Sequence, residues 1–222
     1  MKAGGLVLGC VGLLIAAVVI FALFGVGVYN RLVGLEEDVT EKWAQVENVY
    51  QRRADLIPNL VATVRGAADF ERTTLENVIE ARSRVGQMTL PSNITEDPAA
   101  FQQFEQSQGA LSSALSRLLV VVERYPELRA NQNFLELQSQ LEGTENRIAV
   151  ERMRYNQVAQ AFNTAVRRFP ANIIAGMMGF DRKAYFQAQP GADQAPNVEF
   201  DFGTNTAAPS PAAPASTAAP NP

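Results

Sequence analysis

Two groups of charged and amide side chains are the residues in this sequence whose types and spacing could perform chemistry. Arginine forks bind carboxylate and phosphate groups, so one hypothesis is a polar site for an anion or a peptide. The alternative, which we favour, is a structural brace in which arginine pairs with carboxylate and satisfies carbonyl groups that a helical proline releases. The first group surrounds Pro58 and the second lies further along the chain: Arg52, Arg53, Asp55 and Asn59, then Glu145, Asn146 and Arg147.

Glu145 and Glu151 fall close to an apolar row, where an unpaired carboxylate would be costly. We therefore expect each to pair with an arginine from another helix, for example Arg52, Arg53 or Arg82. Such pairs fix the register of packed helices more than they add stability. Neither a nucleophile nor a set of metal ligands accompanies these carboxylates, so a catalytic dyad is not favoured.

The composition argues against several classes of function. The chain has no histidine and one cysteine, Cys10, among its 222 residues. It therefore lacks the commonest general base, and a single thiol cannot form an internal disulfide or a multi-cysteine metal site. The net charge of −4 and the pI of about 5.0 speak against nucleic acid as a partner. We predict no enzymatic activity, no cofactor and no metal.

A long helix over residues 131–169 is the element that must position the second group. Every seventh residue in this stretch is large and apolar or aromatic, which places one continuous row along one side of a helix. A row of this kind requires other helices to bury it. Its members are Phe134, Leu141, Ile148, Tyr155, Phe162 and Phe169.

Three further helices are predicted, over residues 29–70, about 70–88 and about 98–124. The first carries a sevenfold row that resumes after Pro58, so we expect a kink there and not a stop. Asp97 can cap the third, with Pro98 in its first turn. The sequence therefore predicts an all-α fold, an antiparallel up-and-down four-helix bundle with an N-terminal transmembrane helix. The sevenfold row of the first helix is Leu32, Val39, Val46, Arg53 and Leu60.

Residues 4–28 contain no charged residue and are long enough to cross a ~30 Å hydrocarbon core. We interpret them as a single transmembrane anchor in the lipid bilayer. Two alternatives are a signal peptide cleaved near Gly25-Val26-Gly27 and a lipoprotein modified at Cys10. Gly5 and Gly9 could permit a close helix–helix approach in the membrane, although chance spacing of glycines is the favoured explanation. The basic residues that flank the anchor slightly favour a cytoplasmic location for the helical body.

The region after the long helix is apolar and then changes in composition. Its apolar residues form either a cap over one end of the bundle, which we favour, or a patch for the membrane surface or a partner. We divide the chain into an anchor (1–28), a helical bundle (29–186), an extended segment (187–206) with a short strand at 197–202, and a disordered Ala/Pro-rich tail (207–222). The apolar residues are Ile173, Ile174, Met177, Met178 and Phe180.

Several blocks of this sequence resemble the LemA family, over about residues 29–202. The resemblance implies a bacterial inner-membrane protein with one N-terminal helix, a four-helix body in the cytoplasm and no established enzymatic activity or cofactor. Phe162 replaces a common tyrosine, and Glu151 and Met153 interrupt a run that is often more basic or smaller. The matching blocks are Lys42-Trp43-Ala44-Gln45-Val46-Glu47, Gln51 to Val61, Glu71-Arg72, Leu75-Glu76, Glu80-Ala81-Arg82, Tyr125 to Asn131, Gly143 to Val150, Arg154-Tyr155-Asn156 and Arg168 to Asn172.

Together these features predict a non-enzymatic, membrane-anchored scaffold or adaptor whose partner is another membrane protein. The alternative is a sensory or ligand-binding bundle that uses the polar group at Pro58 or the Met177/Met178 patch. Self-association through the anchor or the bundle stays open at this point.

Overall fold

The computed structural model describes residues 2–66 and 71–187, with side chains described from Val11 onward. This part of the chain is all-helical. A first compact unit ends at Phe186, and the predicted strand at 197–202 and the predicted disordered tail lie outside the described residues. The six helices are α1 (Lys2–Arg65), α2 (Arg72–Gln87), α3 (Pro98–Val122), α4 (Pro126–Arg129), α5 (Gln132–Arg167) and α6 (Ala171–Met178).

Helix α1 is 64 residues long, or about 96 Å at 1.5 Å per residue. The helix continues through Pro58, which was the prediction from the apolar period that resumes after this residue. Its most apolar window has a mean hydropathy of 2.8 and none of it is buried, so this helix is long and apolar enough to cross a membrane. Its sevenfold row is almost completely buried, at 1% exposure or less for each of Leu32, Val39, Val46, Arg53 and Leu60.

Helix α5 buries the aromatic row that the sequence predicted, with one exception. Five members are at most 6% exposed, whereas Phe169 is 81% exposed. The prediction was wrong for Phe169 because α5 ends at Arg167. The residue before a proline is disfavoured in helical geometry, and Pro170 therefore removes Phe169 from the helical period.

Long-range contacts show how the helices pair. Trp43 of α1 packs on Tyr155 of α5, while the later Arg53 reaches the earlier Glu145, so these two helices run in opposite directions. Helices α2 and α3 also run in opposite directions, since Glu71 at the start of α2 contacts Arg124 just beyond α3.

The predicted start of α3 is confirmed at atomic detail. The Asp97 carboxylate accepts hydrogen bonds from the backbone N–H groups of Ala99 (2.9 Å) and Ala100 (3.1 Å), with Pro98 in the first turn. Asn131 caps α5 in the same way, through the N–H groups of Asn133 and Phe134. Neither this second cap nor the short helix α4 was predicted.

The core divides into two clusters. The cluster nearer the apolar start of α1, called the proximal core, is rich in aromatic side chains. The distal core is nearly all aliphatic. The aromatic members of the proximal core are Trp43, Tyr50, Phe101, Phe104, Tyr155, Phe162 and Phe186. The buried members of the distal core include Ile57, Leu60, Val64, Val78, Leu111, Leu118, Phe134 and Leu141.

Candidate functional site

A polar layer separates the proximal core from the distal core. On α1 it contains Arg53, on α3 Gln108 and Ser112, and on α5 Glu145. Apolar residues precede and follow this level on each of the three helices, so the layer lies at one height in the molecule. The sequence indicates the same level, because Arg53 interrupts an otherwise apolar row.

Arg53 is 1% exposed and most of its donors are used. Its Nη1 lies 2.6 Å from Ser112 Oγ and 2.6 Å from Glu145 Oε1, and its Nη2 donates to the Gln108 side-chain and backbone oxygens. Among the described side chains, Nε of Arg53 is a buried donor with no hydrogen-bond partner. The guanidinium also lies 5.0 Å from the centre of the Tyr50 ring. Burial raises the pKa of the Tyr50 hydroxyl, and the nearby Arg152 and Arg53 oppose this rise.

The other residues near Pro58 do not join the layer. Arg52, Asp55 and Asn59 are exposed, and Asp55 accepts a hydrogen bond from Gln51 one turn earlier (2.9 Å). The Asn59 carbonyl accepts from the Thr63 hydroxyl, also within α1.

The second sequence group is divided in the same way. Glu145 pairs with Arg53, whereas Asn146 and Arg147 are exposed. For Glu151 the expected partner on another helix is wrong, because its carboxylate pairs with Arg154 on the same helix at 2.8 Å. The structure therefore brings together two of the seven predicted polar residues, and neither Gln108 nor Ser112 was among them.

A second buried charge was missed from the sequence. Lys183 lies in residues 180–187, an extended stretch after α6 that we call the closing segment. Its Nζ contacts Glu36 of α1 at 2.7 Å and Glu96 of the α2–α3 loop at 2.5 Å, and it lies 5.0 Å from the Phe162 ring centre. Burial alone would lower the pKa of Lys183, but the hydrogen bonds to Glu36 and Glu96 outweigh it and the pKa is raised.

Two asparagines of α5, seven residues apart, hold the closing segment. Asn163 exchanges two hydrogen bonds of 2.8 Å with the backbone of Lys183. Asn156 does the same with the backbone of Phe186, at 2.9 and 3.0 Å. The Phe186 ring then enters the proximal core, 4.7 Å from that of Phe101. These two asparagines, beside the aromatic row of α5, are the sequence signal from which a bound extended segment could have been predicted.

The predicted apolar patch lies beside the apolar segment of α1. Met177 is 77% exposed, Met178 58% and Ile173 48%. Ile174 and Phe180 are half-buried, and the Phe180 ring lies 5.8 Å from that of Tyr29. An apolar groove of about 520 Å³ separates α6 from α1 here, lined by Phe21, Ala22, Gly25, Val26, Tyr29, Ile174, Met177 and Met178.

Two further grooves carry polar side chains. One of about 770 Å³ borders the polar layer and includes Tyr50, Arg82 and Gln108. Another of about 550 Å³ lies between α1 and the end of α5 and includes Arg31 and Arg168. Within the part of the chain that the structure describes, no group of three cysteine or acidic side chains could hold a metal ion. The described polar side chains form ion pairs and hydrogen bonds within and between helices, or line open grooves.

Comparison with known proteins identifies clear relatives. The family model for the LemA family matches residues 42–200. Magnetosome protein MamQ 2 of Paramagnetospirillum magneticum is 29% identical over 181 residues, covering 74% of this chain and 66% of the relative. The chain thus spans just under two thirds of the length of that relative. Protein LemA of Metamycoplasma hominis is 24% identical over 169 residues, covering 76% of this chain and 73% of the relative.

Proposed function

The chain belongs to the LemA family, and we propose that this member is a non-enzymatic scaffold or adaptor, held in a bacterial inner membrane by the apolar start of α1. The observation that carries the proposal is the continuity of α1. One unbroken helix includes the exposed apolar segment and then contributes Trp43 to the proximal core and Ile57 to the distal core. The same rigid element would therefore set both the position in the membrane and the position of the body.

The proposed topology is a single crossing with a cytoplasmic body built as an antiparallel up-and-down four-helix bundle. The opposite directions of α1 and α5, and of α2 and α3, support this arrangement. Arg31 and Lys42 after the apolar segment, against Lys2 before it, favour the cytoplasmic side for the body. The similarity to a magnetosome protein is consistent with this membrane location.

The proposed partner is another membrane protein, received on α6 beside the anchor. Exposed Met177 and Met178 provide flexible apolar contacts, which suit adaptable protein surfaces. The patch adjoins the apolar segment of α1, so a membrane-embedded partner could contact both at once.

Site-specific photo-cross-linking of the full-length protein in native membranes tests this proposal. A cross-linking amino acid at position 177 should capture one membrane protein, and the same amino acid at Ile79, an exposed position on α2, should not. Deletion of residues 1–28 should abolish the capture. Capture of lipid alone, or of the same products from both positions, contradicts the scaffold. Substrate turnover by purified protein that is lost in Glu145→Gln would contradict the non-enzymatic proposal.

A second candidate is a ligand-sensing bundle that uses the groove beside the polar layer. Its support is that this groove is lined by Gln108 of the polar layer and by Tyr50, whose ring lies beside the Arg53 guanidinium, so a ligand there would touch the buried Arg53 network. A ligand that binds only the folded state raises its melting temperature. A panel of anions, peptides and lipids should then include at least one that does so, and Gln108→Ala should remove the shift. A flat response across the panel contradicts this candidate.

A further inference from the structure

The groove between α1 and the end of α5 combines two arginines with an apolar base. Arg31 and Arg168 line it and both are exposed. Among the described residues, neither guanidinium has an ion pair, and no aspartate or glutamate lines the groove. An uncompensated pair of guanidinium groups attracts an anion, and arginine is the side chain best suited to phosphate.

The lining changes from apolar to polar along the direction of α1. Phe24 and Val28 lie at the lower end, within the apolar segment, and Arg31 follows three residues after Val28. At 1.5 Å per residue, Arg31 is about 4–5 Å further along the axis than Val28. If Val28 lies at the edge of the hydrocarbon, Arg31 reaches the level of the lipid phosphates, above an apolar wall at acyl-chain depth.

The opposite wall repeats this order because α5 runs in the opposite direction. Phe169, 81% exposed, follows Arg168 at the lower end, while Gln160 and Thr164 lie further up. Aromatic side chains are enriched at the boundary between membrane and water, and an exposed Phe169 would suit such a position. Both walls therefore place apolar groups below and a guanidinium group in the middle, and the α5 wall adds neutral polar groups above.

We propose that this groove binds the headgroup phosphate of an anionic phospholipid, with its acyl chain against Phe24 and Val28. The inference rests on the proposed membrane anchor, since the groove meets lipid only if α1 crosses the bilayer. The anchor would then have a preference for anionic lipid, and a bound lipid would link α1 to the α5–α6 corner.

The experiment uses full-length protein purified in mild detergent and titrated with phosphatidylglycerol or phosphatidylcholine, with bound lipids counted by native mass spectrometry. The test variant is Arg31→Gln/Arg168→Gln. The matched control is Arg167→Gln/Arg182→Gln, which removes the same charge from two nearby exposed arginines outside the groove. We expect the first phosphatidylglycerol to bind about tenfold more weakly in the test variant and less than twofold more weakly in the control.

Three outcomes would overturn the inference. The first is equal weakening in both variants, which indicates general surface charge. The second is equal binding of phosphatidylcholine and phosphatidylglycerol to the wild type. The third is displacement of the bound lipid by an equal concentration of inorganic phosphate, which indicates a site for the free anion.

Carbonate extraction of native membranes separates a failure here from a failure of the proposed function. Wild-type protein that washes off contradicts the anchor itself. Protein that stays in the membrane fraction but shows no anionic preference contradicts the lipid site alone.

Discussion

The two cores of this protein differ in both composition and construction. The distal core is built by helices alone, with mostly aliphatic side chains from α1, α2, α3, α4 and α5. In the proximal core the buried residues of α2 are absent, and Ile94 of the α2–α3 loop and Phe186 of the closing segment fill the space. The comparison teaches that helices alone build the distal half, while the half beside the apolar segment of α1 is completed by extended chain.

The two cores depend on different kinds of contact. The distal core depends on helical periodicity, which acts over three to seven residues. The proximal core depends on contacts between segments far apart in sequence, such as Trp43 with Phe186. We therefore expect the proximal half to respond to changes in the closing segment and the distal half to remain folded.

The largest expected effect comes from Trp43→Ala. Trp43 contacts four aromatic rings, including Phe101 and Tyr155, and its removal should lower the free energy of unfolding by about 4 kcal/mol. Leu118→Ala in the distal core is the matched control, with an expected loss of about 3 kcal/mol. Hydrogen exchange of the full-length protein in detergent should show faster exchange in the closing segment for Trp43→Ala only. Equal exchange there in both variants would show that the two halves unfold as one.

Arg53→Met tests the boundary between the halves. The change leaves Gln108 and Ser112 without their donor, but Glu145 is 41% exposed on its side chain and regains water. We expect a loss of about 2–3 kcal/mol in chemical denaturation. In Arg53→Met/Glu145→Gln the loss should be smaller than the sum of the two single losses, because the residues share one interaction. Additive losses would show that the pair is not coupled.

Lys183→Met should open the proximal half selectively, with a loss of about 2 kcal/mol at neutral pH. The pKa of Lys183 is raised above its ordinary value of about 10.5, so its stabilising contribution is complete below that pH and is lost as the pH rises through the folded-state pKa. The difference in stability between wild type and Lys183→Met should be constant from pH 7 to about 10 and then decline. A difference that declines already near neutral pH would contradict this assignment.

Tyr155→Phe gives the smallest expected effect. It removes the hydrogen bond from the Tyr155 hydroxyl to the Ala184 carbonyl (3.0 Å) and preserves the ring, so we expect a loss of about 1 kcal/mol in thermal or chemical unfolding. Burial raises the pKa of this hydroxyl, which keeps it protonated as a donor. No change in stability would show that this hydrogen bond does not help to hold the closing segment.

Much of the helical framework follows from the sequence. The row containing Arg53, the cap at Asp97 and the long helix α5 were predicted from spacing and residue type. The closing segment was not predicted, because an extended segment has no helical period and its partners lie up to 147 residues away. Phe169 was assigned to the buried row because period alone does not include the effect of Pro170. Which carboxylate pairs with Arg53 likewise depends on helix register, and spacing along one helix does not determine it.

The unbroken course of α1 also gives the molecule the mechanics of a lever. From Val28 to Arg65 the helix extends about 55 Å beyond the apolar segment. Membrane helices change tilt when bilayer thickness changes, and a tilt of about 10° would displace the far end of the body by about 10 Å. If α1 crosses a membrane as proposed, a small change of its angle there becomes a large movement of the surface formed by α2 and α3.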